Sequence, residues 1–244
     1  MKADPKAQER LLELRAYDVR AVQLAKQERE LPERVVLETL TAERATTRSD
    51  LASTAGVLED ARTELARTES DVALVEARIA KDSERMMGST SAKDASGFEH
   101  EIESLRRRQS DLEEIELAVM ERVEEHEAAV AALQARVAEL TAEIDSAEAI
   151  VAQALERIAA ERSEVAAARD ALVASLPADL VALYEQQRAR YGAGASLLRR
   201  GVSEASGVAL TGDELAKVRA AAPDDVLICP SSEAILVRTG ESGL

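Results

Sequence analysis

The sequence predicts a mainly α protein: a long antiparallel coiled-coil helical hairpin carrying a small C-terminal α+β knuckle. Three observations carry this prediction. From Ile102 to Leu172 apolar residues recur in alternating steps of three and four, with β-branched Val123, Val130, Val137, Ile144, Val151, Ile158 and Val165 at one heptad site and Leu at much of the other. A second, less regular seam runs earlier, with Leu51, Leu58, Leu65, Val72 and Ile79 seven residues apart. Aromatic residues make up 2% of the 244 residues, which is too few large side chains for the core of an ordinary globular enzyme of that length.

The elements follow in chain order. Leu11, Leu14, Ala21, Leu24 and Leu31 form an amphipathic segment, and Pro32 then predicts a kink or short break because it lacks an N–H and crowds the preceding turn. The first arm spans about 10–85 and the second 98–176. Residues 86–98, bracketed by Gly88 and Gly97 and rich in small polar side chains, read as the hairpin tip. Arms of 76 and 79 residues are the match an intramolecular hairpin needs. A parallel dimer without a hairpin also suits β-branched and Leu seam positions, so a monomer or a weak homodimer is expected. Gln109, Glu116, His126 and Glu161 interrupt the second seam, and antiparallel pairing sets His126 near Leu58. The coil ends at Leu176-Pro177, dividing the chain into 1–176 and 177–244. Beyond it a helix over 178–191 stops at Gly192 and Gly194. Short β-like runs follow, SLLRRGV, VLIC and AILVRT, with a helix opened between the first two by the capping-box spacing of Thr211 and Glu214.

Charge and cysteine content narrow the function. Thirty-one basic residues against 47 acidic give a net charge of −16, which disfavours nucleic-acid binding by the surface at large. From Pro177 onward the balance is milder, with Arg188, Arg190, Arg199, Arg200, Lys217, Arg219 and Arg238 facing nine acidic residues. A partner with phosphates would meet the chain there, if anywhere. No stretch is apolar enough to span a membrane, and the charged start MKADPKAQER is unlike a signal peptide, so a soluble cytoplasmic protein is expected. Cys229 is the single cysteine, which excludes an internal disulfide and a metal site built mainly on thiolates.

The N-terminal MKADPxxQxxLLxL, the central EHEIESLRRRQSDLEEIELAVME and the tail from RYGAGASLLRRG to RAAAPDDVLICPSSEAILVRT resemble the bacterial coiled-coil and C4-type zinc-ribbon proteins in their actinobacterial form, over essentially the whole chain. The resemblance implies a helical hairpin joined to a zinc-ribbon knuckle and an adaptor-like or nucleic-acid-binding role without general enzymatic activity. It also implies two C-x-x-C pairs. Here these fall on Ser203 and Ser206, and on Cys229 and Ser232, so one of four ligand positions is cysteine. Serine hydroxyls stay protonated near neutral pH and ligate zinc poorly. A ribbon present in shape and without zinc is therefore expected, packed by apolar residues that include Leu198, Val208, Leu210, Val218 and 235–237.

The remaining polar groups suggest no catalysis. His126 reads as a register-fixing seam residue, His100 as part of a solvated face, and Arg106, Arg107 and Arg108 as three directions around a helix rather than one patch. Glycine-rich phosphate loops, HExxH and nucleophile elbows do not occur in the sequence. The expectation is a non-enzymatic adaptor with a protein partner, using the hairpin as a spacer and the tip and knuckle as docking surfaces. The alternative is a nucleic-acid-associated regulator acting through the knuckle arginines.

Overall fold

The computed structural model describes residues 1–244. It contains five helices and one five-stranded sheet, and it divides into two compact units, Glu33–Ala149 and the combination of Met1–Pro32 with Ile150–Leu244. The division does not follow Pro177. The first 32 residues and the end of the second arm belong with the C-terminal elements, for the packing reason given below.

The unit Glu33–Ala149 is the hairpin proper. Helix α2 covers Glu33–Met87, and α3 covers Ala92–Ala174, continuing past the boundary between the units. The residues of α3 that turn inward are those of the heptad: Ile102, Leu112, Val119, Val123, Leu140 and Ile144 are buried, and the polar positions Gln109, Glu116 and His126 are half-buried within the same stripe. In α2, Leu58 and Ala61 are buried and pack with Val123, flanked by Leu65 and Val130. Ion pairs across the seam hold the register. Arg136 meets Glu43 at 2.7 Å, Arg62 meets Glu127 at 2.6 Å, Arg122 meets Glu64 at 2.7 Å and Arg78 meets Glu101 at 3.0 Å. One partner's number rises as the other's falls, as antiparallel pairing requires. Each such exposed pair contributes at most about 1 kcal/mol, so these pairs specify alignment more than they stabilise.

The tip is shorter than the expected 86–98. Only Gly88–Ser91 lie between α2 and α3, and Gly97 is helical. The reason is a local start signal: the Ser91 side chain accepts from the Asp94 N–H at 3.4 Å and the Ser91 carbonyl from the Ala95 N–H at 3.0 Å, which begins α3 before the glycine is reached.

The other unit begins with α1, Pro5–Arg29, whose N-cap Asp4 accepts from the Lys6 N–H and whose first residue is proline. It stops at Glu30–Pro32, where the break was expected. Helix α4 spans Ala178–Tyr191 and ends on Gly192 with φ of 83°, a left-handed cap. Five short strands follow: β1 Ala195–Arg199, β2 Val202–Ser203, β3 Val208–Ala209, β4 Leu227–Ile228 and β5 Ile235–Val237, with α5, Gly212–Ala220, between β3 and β4. The sheet order is β3-β2-β1-β5-β4, with β1 and β5 parallel and the other pairs antiparallel.

The single run SLLRRGV is thus two strands. Arg200 and Gly201 both have positive φ, 48° and 77°, the two-residue hairpin turn whose twist suits flanking strands. Alternation along β1 and β5 serves two cores. Ala195, Ile235 and Val237 join Leu11 and Leu14 of α1, Leu172, Leu176, and Leu180 and Tyr184 of α4, whereas Leu198 and Leu236 join Leu210, Val218 and Cys229. Because the first core needs α1 and the end of α3, the sheet groups with them rather than standing alone. Val208, expected in the core, is exposed at the sheet edge.

Candidate functional site

The positions that the resemblance marks as metal ligands lie in two turns, and the fold brings three of the four together. Ser203 ends β2 and is fully buried, its Oγ hydrogen-bonded to Ser196 Oγ at 2.8 Å, while Ser196 Oγ accepts from the Ala205 N–H at 2.9 Å. Cys229 follows β4 and is also fully buried. Its turn is closed by the Cys229 N–H donating to the Ala234 carbonyl at 2.8 Å and the Glu233 N–H donating to the Cys229 carbonyl at 2.9 Å. Burial pushes the Cys229 thiol pKa up, but hydrogen bonding from Ser203 and Ser232 and from the backbone of residues 231 and 232 outweighs it and leaves the thiol below its ordinary value. Ser232 Oγ is buried beside the thiol and has no partner elsewhere in the fold. Ser206 accepts from the Val208 N–H at 3.3 Å within the turn between β2 and β3.

This donor set does not fit zinc. A tetrahedral zinc site takes thiolates or imidazoles, and here one thiol faces hydroxyls of which one is already hydrogen-bonded inside the sheet. Other contacts close the same end of the fold. The Arg238 guanidinium donates to the carbonyls of Ala221, Ala222, Pro223 and Asp225 at 2.7 to 3.1 Å, and at 3.4 Å to that of Val218. The first residues of the chain add to it as an extended segment, with the Ala3 N–H donating to the Asp224 carbonyl at 2.8 Å and the Val226 N–H to the Met1 carbonyl at 3.1 Å. Gln8, buried in α1, donates to the Ala3 carbonyl at 2.9 Å.

The seven basic residues do not form one surface. Arg238 is turned onto backbone carbonyls, Arg199 pairs with Glu204 at 3.0 Å and Glu241 at 2.8 Å, and Arg188 pairs with Glu185 at 2.7 Å. Arg190, Arg200, Lys217 and Arg219 are exposed and make no ion pair within the chain. Lys217 and Arg219 sit in the last turn of α5, where positive charge complements the helix dipole.

The sequence reading missed a polar network midway along α1. Tyr184 is fully buried and donates to Asp18 Oδ2 at 2.6 Å. Arg169 donates to Asp18 Oδ1 at 2.7 Å and pairs with Glu185, and Arg188 lies 3.5 Å from Asp18. Burial first, then the hydrogen bond to Asp18 and its charge, push the Tyr184 phenol far above its usual range. Burial works against the Arg169 cation, but its bonds to Asp18 and Glu185 prevail and raise its pKa. Tyr184 and Asp18 are 166 positions apart, and no local pattern links the members of the network. The nearest signal is the spacing of Gly192 and Gly194: a Cβ at Gly194 would lie 2.5 Å from the Tyr184 ring.

No helix is long and apolar enough to cross a membrane. Comparison with known proteins matches residues 14–192 to the CT398-like coiled coil hairpin domain. The chain is 35% identical over 239 residues to the uncharacterized protein Rv2229c of Mycobacterium tuberculosis, covering 98% of each chain. Among solved structures it is similar to a Mycobacterium smegmatis protein, with a TM-score of 0.84 and 38% identity over 98% of this chain and 100% of that one. CT398 from Chlamydia trachomatis shares the fold at a TM-score of 0.62 and 16% identity, over 95% and 97% of the two chains.

Proposed function

The chain belongs to the CT398-like coiled coil hairpin domain family, and from that premise we propose that it is a non-enzymatic scaffold that docks a protein partner at the hairpin tip. The composition of the tip carries this reading. The sole Phe of the chain, Phe98, and two of its four Met, Met86 and Met87, fall within thirteen residues there. Met87 is 77% exposed, more than any other large apolar side chain of the chain. A shallow, open depression beside it is lined by Arg85, Lys93 and Phe98 together with Asp94 and Glu101. Aromatic, Met and Arg side chains are those enriched at the centres of protein interfaces, and unbranched Met adapts to irregular partners.

The C-terminal elements read as a zinc-ribbon-like knuckle that has lost its metal. The single thiol, the second apolar cluster and the Arg238 carbonyl cage support this reading. The nucleic-acid alternative is the weaker reading, because Arg188, Arg199 and Arg238 are engaged within the chain.

Capture from a cell extract by the intact chain and by a Met87→Glu/Phe98→Glu variant, each at low and high salt, tests the scaffold reading. The expected result is a protein retained by the intact chain at both ionic strengths and lost by the variant. Equal capture by both, or a salt-labile nucleic acid as the retained species, would overturn it. Removing everything after Pro177 is a poor comparison, because it would uncover Leu11, Leu14 and Leu172.

A further inference from the structure

Two depressions adjoin on the unit that contains α1. One, of about 290 Å³, lies between α1 and the turn after α4, with Tyr184 and the backbone of residues 192–194 on one side and Val19 and Val22 on the other. The second, of about 580 Å³, runs between α1 and α3 over the small residues Ala21, Ala159 and Ala166. Asp18 and Arg188 line both, so the two depressions meet at that pair and together make up the trough. Val19 and Val22 stand one helical turn apart, 45% and 69% exposed.

The charges in the trough are asymmetric. Asp18 already receives Tyr184, Arg169 and Arg188, and Glu185 receives Arg169 and Arg188, so the carboxylates are saturated by this chain's own donors. The arginines are not saturated. Arg15 makes no ion pair, and Arg162 uses one nitrogen on Glu28, leaving the rest of its donor fork unmatched. An incoming cation would find no vacant carboxylate here, whereas an incoming carboxylate finds several N–H donors. In a chain of net charge −16 this local excess of arginine is an exception.

We propose that the trough docks an acidic amphipathic helix of a partner protein. Its aliphatic side chains would cover Val19 and Val22, and its carboxylates would meet Arg15 and Arg162. The small residues between α1 and α3 let a third helix approach to ordinary packing distance, about 8–10 Å between axes. Arg15 to Val22 spans about 10 Å, so two turns of a partner helix cover the apolar step and its flanking cation. This surface rests on the scaffold reading and adds to the tip a second docking site of defined chemistry.

The test uses the intact chain as bait for a displayed random-peptide library long enough for about five helical turns. The enriched peptides are resynthesised and their affinities measured. Enriched sequences should carry Asp or Glu together with Leu, Ile or Val at three- and four-residue spacing. Binding should fall about tenfold or more with Val22→Glu or Arg15→Glu and weaken as salt rises. Val22→Ser, which leaves an exposed helical position uncharged, should weaken it in the same direction, and circular dichroism confirms that each variant keeps its helix content. No enrichment, enrichment of basic or uncharged sequences, or affinities indifferent to both Val22→Glu and Arg15→Glu would overturn the proposal. So would displacement of the peptide by an equal concentration of single-stranded DNA. A peptide lost with Met87→Glu but retained with Val22→Glu would refute the trough and leave the tip reading standing.

Discussion

Replacing Gly194 by Ala places a methyl group 2.5, 2.5 and 2.7 Å from Cδ2, Cε2 and Cζ of Tyr184, distances that real Cβ atoms essentially never show. The ring cannot swing aside cheaply. It is fully buried in the core shared by α1, α4 and the sheet, and its hydroxyl is tied to Asp18, which Arg169 holds in turn. Forcing one extra methyl into such packing costs about 1–3 kcal/mol. Two other glycines of the same unit separate this effect from backbone effects. Gly192 has φ of 83° but open space around its missing Cβ, so Gly192→Ala should lose only the left-handed preference, about 1 kcal/mol. Gly212 begins α5 in open space without positive φ, so Gly212→Ala should be neutral or slightly stabilising. The chain has no Trp, and its three tyrosines, Tyr17, Tyr184 and Tyr191, all lie in the unit containing α1, so tyrosine fluorescence in urea follows that unit alone. In a Tyr184→Leu background, still reported by Tyr17 and Tyr191, the cost of Gly194→Ala should shrink by about 1 kcal/mol or more, because the clashing ring is gone. If Gly194→Ala proves no more destabilising than Gly212→Ala, or its cost is unchanged by Tyr184→Leu, the close-approach argument fails.

The seam and the turns that carry Ser203, Ser206, Cys229 and Ser232 give two further predictions. Leu140 is fully buried and Gln134 exposed on the same helix, so Leu140→Ala should cost about 2–4 kcal/mol by far-ultraviolet circular dichroism in urea, and Gln134→Ala within about 0.5 kcal/mol of zero; equal costs would refute the heptad register. Protein purified without chelator should carry no stoichiometric zinc, and a chain with Ser203→Cys, Ser206→Cys and Ser232→Cys should take it up; zinc in the unmodified chain would refute the reading of the knuckle, and none in the triple variant would show that the turns no longer support four ligands.

The hairpin was legible because its information is local and periodic. A residue every three or four positions from Ile102 to Leu172 states which face of α3 is buried, and Gln109, Glu116 and His126 keep the stripe even where they change its chemistry. The capping box of α5 was legible for the same reason: Thr211 and Glu214 satisfy each other's backbone groups within four residues. Where two local signals compete the sequence misleads, as at the tip, where Gly97 suggests a turn but the Ser91 cap has already begun the helix. Contacts between distant segments left no trace in local pattern. The extended pairing of residues 1–3 with 224–226 and the Asp18–Tyr184–Arg169 network arise only when the chain closes on itself. Arg238 illustrates the limit well, since as a residue type it suggests phosphate, and only its surroundings show that its donors are turned onto carbonyls of 218–225.

That arrangement bears on how so small a sheet persists with one cysteine. Strands of two to five residues, most of them paired through only two positions, cannot stabilise themselves, and knuckles of this size commonly rely on metal or disulfides. Here the two faces of β1 and β5 are served separately. One face lies on Leu11, Leu14, Leu172 and Tyr184, a helical core that exists because both ends of the coil meet, and the other is closed by α5 through Val218 and Leu210. The turn between α5 and β4, which a metal-stabilised knuckle could leave loose, is gripped from inside by Arg238 and from outside by residues 1–3, with Lys2 adding an ion pair of 2.9 Å to Asp224. The surface ion pair contributes little. The carbonyl cage contributes more, because a charged donor shared among several carbonyls is lost as a unit when its side chain is removed. The segments that hold the sheet therefore lie at opposite ends of the sequence, which explains why the first residues of the chain, the end of the second arm and the sheet form one compact unit while the remainder of the hairpin forms another.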